Sequence, residues 1–493
     1  MGTTRMMVLL NILLLLWFQQ WVQASTSVIQ MATEGEIQLK INAKGDADTV
    51  IHAAFNTTIV YERLAYMTDT FGPRFSGTPA LESALDWIKV QAQTDGLSVK
   101  EQPVMIPVWV RGREYANLIS PRRKSMHVLG LGGSVGTNGQ IVQAKVLVVS
   151  SFDDLERQKD NVKGKIVVYN VEFVSYSKTV VYRVNGASKA QQYGAVAALV
   201  RSISPFGLQT PHTGSSEPTT IPAMAITLED AQMFARMQAR GQEVEIELYM
   251  EAHTLPDAQS RNLILEIEGT HFPSEYVIVG GHTDSWDIAD GAMDDGGGAF
   301  VAWEALRLIK SSGLHPDRTV RAILYVNEEN GARGGQQYAH DYSDTLSKTS
   351  IALESDVGTF TPDGISFLGS TKAQSILEYM GHQLLGGIGS GNVSGEGIGE
   401  DISYMCVTGV PCGNLNVLDP RVGTESNNPC APYSQPPYPL LTEDEFPRDG
   451  YFWYHHTEAD TIDKLSPEQL QHAAATLGVW IYSIANLPTL LPR

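Results

Sequence analysis

The chain has 493 residues, 43% of them hydrophobic, with 35 Lys+Arg against 55 Asp+Glu and a formal net charge of -20. That length exceeds what one compact core accommodates, so two or more domains are expected, and the apolar content excludes a disordered chain. The negative excess repels polyanions and anionic bilayers, which excludes nucleic acid and membrane surfaces as partners.

Arg5 is followed by an apolar run over residues 6–18 and then by Val22-Gln23-Ala24, the small-residue pattern that signal peptidase cuts. Residues 1–24 therefore read as a leader, and the mature protein as secreted and free of the membrane. Residues 25–48 are polar and poorly patterned, open to reading as a propeptide, a disordered arm or an entry strand. Two sequons, at Asn56 and Asn392, fit glycosylation on the secretory route. The cysteines Cys406, Cys412 and Cys430 permit one local disulfide with one thiol left over, and their spacing matches no zinc-finger pattern.

From residue 60 to 99, Leu64, Met67, Leu81, Ala84, Leu85 and Ile88 recur at helical spacing, broken at Gly72-Pro73 and Gly77-Thr78-Pro79. Residues 60–99 thus read as helix, turn, helix, and residues 49–116 as the N-terminal part of the domain completed by residues 253–493. Residues 117–252 change to short β-rich runs at 145–149, 165–169 and 197–200, which predicts a separate β-rich domain. Residues 253–493 alternate strands and helices, as a doubly wound α/β domain does.

The apolar strand at 276–279 leads into His282, with Asp284 two residues on and able to orient an imidazole. A glycine-rich loop then carries Asp294 and Asp295, placed either to bind a ligand or to cap the following helix. The strand at 320–326 ends in Glu328-Glu329, neighbours whose side chains diverge, so that one can hold a metal while the other faces a water. A strand at 350–353 precedes Asp356, and a late segment supplies His455 and His456. Together His282, Asp294, Glu329, Asp356 and His456 offer ligands of the types zinc accepts, most of them just beyond strand ends.

This ordered set resembles the zinc-dependent exopeptidase family with paired co-catalytic metals, which includes bacterial leucyl aminopeptidases and glutamate carboxypeptidases. The resemblance implies a doubly wound mixed sheet with an inserted β-rich protease-associated domain at 117–252. It further implies two Zn2+ per chain, with Asp294 as bridge, His282 and Asp356 on one ion, and Glu329 and His456 on the other. Glu328 is then the general base, and Asp284 supports the metal site from behind the His282 imidazole. Relatives carry Tyr directly before the last zinc histidine, where this chain has His455 with Tyr454 one place further back, so His455 becomes a candidate donor to the oxyanion or substrate. The expected function is a secreted carboxypeptidase or dipeptidase acting on small unblocked peptides as a homodimer, with zymogen processing and lysosomal delivery as companions. An aminopeptidase is the alternative, because the metal core serves both specificities. Ile402, where several aminopeptidases have His, leans toward the carboxypeptidase branch. The complete ligand set with Glu328 argues against a receptor-like binding protein, and His282 with Asp356 against a one-metal cyclase. Arg333 and Arg421 are candidates for binding a substrate carboxylate.

Overall fold

The computed structural model describes residues 42–395, 397–418 and 450–493. The expected leader, Cys430 and Arg421 lie outside these residues. Among the described residues no helix is long and apolar enough to cross a membrane.

The main sheet has eight strands, in the spatial order Ser98–Val110, His253–Ile267, Arg318–Tyr325, Phe272–His282, Thr349–Glu354, Cys412–Val417, Pro362–Phe367 and Asn392–Gly395. Its centre is parallel: Phe272–His282 runs between Arg318–Tyr325 and Thr349–Glu354 in the same direction as both. The strands Arg318–Tyr325 and Thr349–Glu354 are buried at every position, as parallel strands covered on both faces must be. Helices Gly297–Ser311 and Pro467–Ala485 bury their apolar residues in the larger core, and the opposite face packs Ile278, Ile323 and Tyr325 against Tyr338 and Ile402. The doubly wound mixed sheet is therefore present.

Local chemistry marks the helix starts. Thr78 and Ser466 accept from the backbone N–H of Leu81 and Gln469, each ahead of a proline in the first turn. Helix Ala43–Phe55 begins inside the span read as polar and unpatterned. It buries Ala47, Val50 and Ala54, and Tyr482 donates to Asp46 at 3.3 Å, so this part of the span belongs to the packed fold.

Two long strands, Ser98–Val110 and His253–Ile267, pair antiparallel from Ser98↔Glu266 to Val110↔His253 and lead to a second eight-stranded sheet. That sheet holds Val142–Val149, Ile166–Tyr169 and Ala197–Arg201, the strands expected from the sequence, and it starts at Glu114–Ser120 and ends at Glu245–Met250. Helices Val181–Gln192 and Leu228–Ala239 pack on it and were not anticipated. The first buries Gly186, Ala187 and Ala190, residues too small to give a strong hydrophobic period.

Candidate active site

Backbone register aligns the chemistry. His282 pairs with Tyr325 and Gly280 with Glu354, so His282, the Asn327–Glu329 turn and Asp356 all emerge at one edge, beyond the carboxyl ends of three adjacent parallel strands. The helix that follows Asp294 is seated against the same edge through Gly298, where a Cβ would stand 1.8 Å from the carbonyl oxygen of Ser355. Only glycine permits that approach.

His282 donates through Nδ1 to the main-chain carbonyl of Asp284 at 2.9 Å. A carbonyl only accepts, so Nδ1 carries the proton and Nε2 offers its lone pair to the cleft. Around that Nε2 stand Asp294 Oδ1 at 3.4 Å, Asp356 Oδ1 at 3.7 Å and Glu328 Oε2 at 3.8 Å. His282 Nε2, Asp294 Oδ2 and Asp356 Oδ1 are buried without a hydrogen-bond partner. Burial opposes a charged His282, yet the Asp294 and Asp356 carboxylates more than offset this and hold its pKa well above the usual value. The site demands positive charge, and these orphaned donors fit a divalent cation. Asp284 acts differently from expectation. Its carboxylate lies 3.7 Å from the imidazole and instead accepts from the Glu328 N–H and the Ser76 hydroxyl, both at 3.2 Å.

A second cluster shares Asp294. Its Oδ2 lies 3.3 Å from His456 Nε2, which also faces Glu329 Oε2 at 3.0 Å. His456 Nδ1 points at the Thr213 carbonyl at 3.2 Å, leaving Nε2 as the free donor. His455 stacks on His456 with centroids 3.5 Å apart, and its Nε2 is 3.7 Å from Asp294 Oδ2. Two sets thus satisfy metal-ligand proximity, His282-Asp294-Asp356 and Asp294-His455-His456. Contact with Glu329 favours His456 over His455 as the ligand. Burial lowers the His455 pKa to about 4 and keeps it neutral.

Asp294 and Asp295 divide the two roles that the sequence left open. Asp295 accepts from the N–H of Gly298 at 3.1 Å and of His282 at 3.0 Å, so it caps the helix and ties it to the strand end. Asp294 alone faces both imidazoles. The turn at Glu328-Glu329 is set by Asn327, whose φ of 64° lies in the left-handed region that Asn tolerates. Burial, ahead of any neighbouring charge, raises the Glu328 pKa well above the ordinary carboxylate value.

Two supports escaped the sequence reading. Arg74 is buried and donates to the carbonyls of Thr283 at 2.8 Å and Gly291 at 2.9 Å, fastening the loop between His282 and Asp294. Asp460 accepts from the backbone N–H groups of Met293 at 2.8 Å and Asp294 at 3.0 Å. Asp460→Ala should therefore weaken cation retention by about 10–100-fold, the usual cost of losing support behind a ligand. Asp460→Asn, which keeps one acceptor oxygen, should fall between. Metal content after graded dialysis against a chelator measures both.

The inserted domain also builds the site. Thr213 N–H donates to the His456 carbonyl at 2.9 Å, His212 Nδ1 to the His455 carbonyl at 2.8 Å, and Ser215 Oγ to the Glu329 carbonyl at 2.9 Å. Arg183 is 6% exposed and hydrogen bonds to the Tyr176 hydroxyl at 3.0 Å and to the carbonyls of Ser215 at 3.3 Å and Thr213 at 3.4 Å. It forms no ion pair with a carboxylate among the described residues. Arg333, by contrast, is exposed at the start of helix Arg333–Asp341, and Ile402 is buried with its N–H donated to Glu354 at 2.9 Å. Cys406 and Cys412 form the disulfide, and Asn56 and Asn392 are both exposed.

The family model "Peptidase family M28" matches residues 262–481, and the "PA domain" model matches residues 137–234. Human carboxypeptidase Q is 41% identical over 477 residues, 94% of either chain. Aminopeptidase YwaD of Bacillus subtilis is 25% identical over 87% of this chain and 85% of its own. Among solved structures, a peptidase M28 precursor from Shewanella amazonensis superposes with a TM-score of 0.81 at 29% identity, over 92% of this chain and 98% of that one. The M28 model spans the positions of both clusters, and the chain belongs to peptidase family M28, a hydrolase of peptide bonds with a PA domain set into its catalytic fold.

Proposed function

We propose that this peptidase is a zinc exopeptidase that removes a C-terminal residue from small unblocked peptides, dipeptides included, with two zinc ions per chain and Glu328 as general base. The supporting observation is the pair of donor sets joined at Asp294, with buried Nε2 and carboxylate oxygens left unpartnered around it. Imidazole and carboxylate donors suit zinc. His282 and Asp356 would hold one ion, Glu329 and His456 the other, and Asp294 would bridge them. Zinc bound there supplies a Lewis acid for the scissile carbonyl and lowers the pKa of the attacking water. Glu328 would take a proton from the attacking water and deliver it to the departing amine. Asp284 fixes the Glu328 main chain, and neutral His455, beside Asp294, donates to the developing oxyanion.

Arg183 supports the carboxypeptidase reading. A buried guanidinium has five N–H donors, and those of Arg183 meet neutral oxygens with no carboxylate beside them among the described residues, which leaves it able to take an incoming carboxylate. Arg183 thus joins Arg333 and Arg421 as a carboxylate candidate, with Arg421 outside the described residues. In this reading the enzyme follows the secretory route, with Asn56 and Asn392 as glycan acceptors, and works as a homodimer.

A dipeptide compared with its C-terminal amide and its N-acetyl form tests the direction of cleavage. The free acid should be cleaved at least about tenfold faster than the amide, the value of one charge-assisted contact. Arg183→Gln should remove that preference chiefly through KM. Equal cleavage of acid and amide, with loss on N-acetylation, would assign the chain as an aminopeptidase, the activity named for the Bacillus subtilis relative.

A further inference from the structure

Beside the two clusters stands a group of rings around His455 whose other members take no part in the steps above. Phe452 stacks on Tyr176 with centroids 5.2 Å apart and an interplanar angle of 19°, and meets His455 at 5.4 Å and Phe173 at 5.7 Å. Tyr176 meets the same His455 edge-on at 5.0 Å. These rings come from two separate parts of the chain. Phe173 and Tyr176 belong to the inserted domain, whereas Phe452 and His455 belong to the turn that ends in the ligand His456.

The group continues outward. Phe206 of the inserted domain stacks on Trp453 at 4.0 Å and 17°, and the Ser204 hydroxyl donates to the Phe452 carbonyl at 2.8 Å, which ties this loop to the same turn. At its outer end large apolar side chains face solvent: Phe206 is 40% exposed, Leu208 73% and Val174 48%. An exposed apolar edge on a loop tied to the turn that carries His455 and His456 marks a binding surface. The tail of a substrate meets that geometry, because anything seated there is already beside His455.

We infer that the rings of Tyr176, Phe452 and Phe206 form the subsite for the side chain of the substrate's C-terminal residue, and that the enzyme selects bulky apolar residues, aromatic ones first, at that position. This rests on the carboxypeptidase reading above. Arg183 donates to the Tyr176 hydroxyl at 3.0 Å, so a carboxylate held by Arg183 places its own residue's side chain against the Tyr176 and Phe452 rings. Aromatic substrate rings gain both apolar burial and ring stacking there, while charged side chains lose hydration without a partner.

The test measures kcat/KM for Ala-Phe, Ala-Ala, Ala-Glu and Phe-Ala with the zinc-loaded full-length enzyme, its Phe206→Ala and Phe452→Ala variants, and a conservative Phe452→Leu variant. Wild type should prefer Ala-Phe over Ala-Ala by about tenfold or more, with Ala-Glu poorest. Phe206→Ala and Phe452→Ala should lower the Ala-Phe to Ala-Ala ratio at least fivefold, and Phe452→Leu should restore part of it. A ratio that the variants leave unchanged, or a preference for Phe-Ala, overturns the subsite. So does a Phe206→Ala variant of normal selectivity that changes the oligomeric state, which would assign the edge to a second copy of the chain. Absence of hydrolysis of any dipeptide by the zinc-loaded wild type would instead sink the exopeptidase reading itself.

Discussion

Glu328→Gln should leave zinc content unchanged and lower kcat by about 10²–10⁴-fold, the range for loss of a positioned general base. The substitution preserves shape and removes basicity. Glu328 Oε2 lies 3.8 Å from His282 Nε2, close enough to face the cluster, while its main-chain N–H is pinned to Asp284. In the proposed reading the second cluster's ligand would be the adjacent Glu329, whose Oε2 is 3.0 Å from His456 Nε2. Losing the Glu328 proton acceptor therefore separates chemistry from binding. Metal analysis and kcat on the same preparation measure the two effects. Near-wild-type turnover in a fully loaded variant would move the base to another residue.

Asp294→Ala should lose metal and activity together. Asp294 is the one residue that belongs to both candidate metal groups among the described residues, and its two oxygens face His282 and His456 at 3.4 and 3.3 Å. Two cations at the roughly 3.5–4 Å spacing of paired sites repel strongly, and a shared carboxylate is what offsets that repulsion. Without it each of the two proposed ions would lose a ligand. Asp295→Ala makes the contrast. Its carboxylate binds backbone N–H groups of His282 and Gly298, so its loss should destabilise the fold by about 1–3 kcal/mol while leaving both ligand sets chemically complete. Isothermal titration of zinc into chelator-stripped variants, beside thermal melts, separates these outcomes. An Asp294→Ala protein that still binds two zinc ions tightly would place the bridge elsewhere.

Much of the fold and of the cluster is legible along the chain because parallel strands covered on both faces must be apolar throughout and must end where polar residues begin. That rule alone puts His282, Glu328-Glu329 and Asp356 beyond three strand ends, and the topology of a doubly wound sheet gathers those ends at one edge. The helices of the inserted domain are less legible, since Val181–Gln192 packs through glycine and alanine and leaves little hydrophobic period.

What only the tertiary structure decides are choices between like residues and contacts between distant ones. Asp294 and Asp295 are the same residue type side by side, and their backbone geometry sends one to the imidazoles and the other to the helix cap. His456 rather than His455 lies against Glu329, and Cys406 is paired with Cys412 by their positions on either side of a short turn. Arg183 lies 273 residues from His456 along the chain, and Asp460 lies 166 from Asp294. No local periodicity encodes such pairs. They exist because the inserted domain packs onto the turn carrying His455 and His456, which brings a buried cation and a row of rings to a metal-binding edge whose ligands come from the main sheet and its loops.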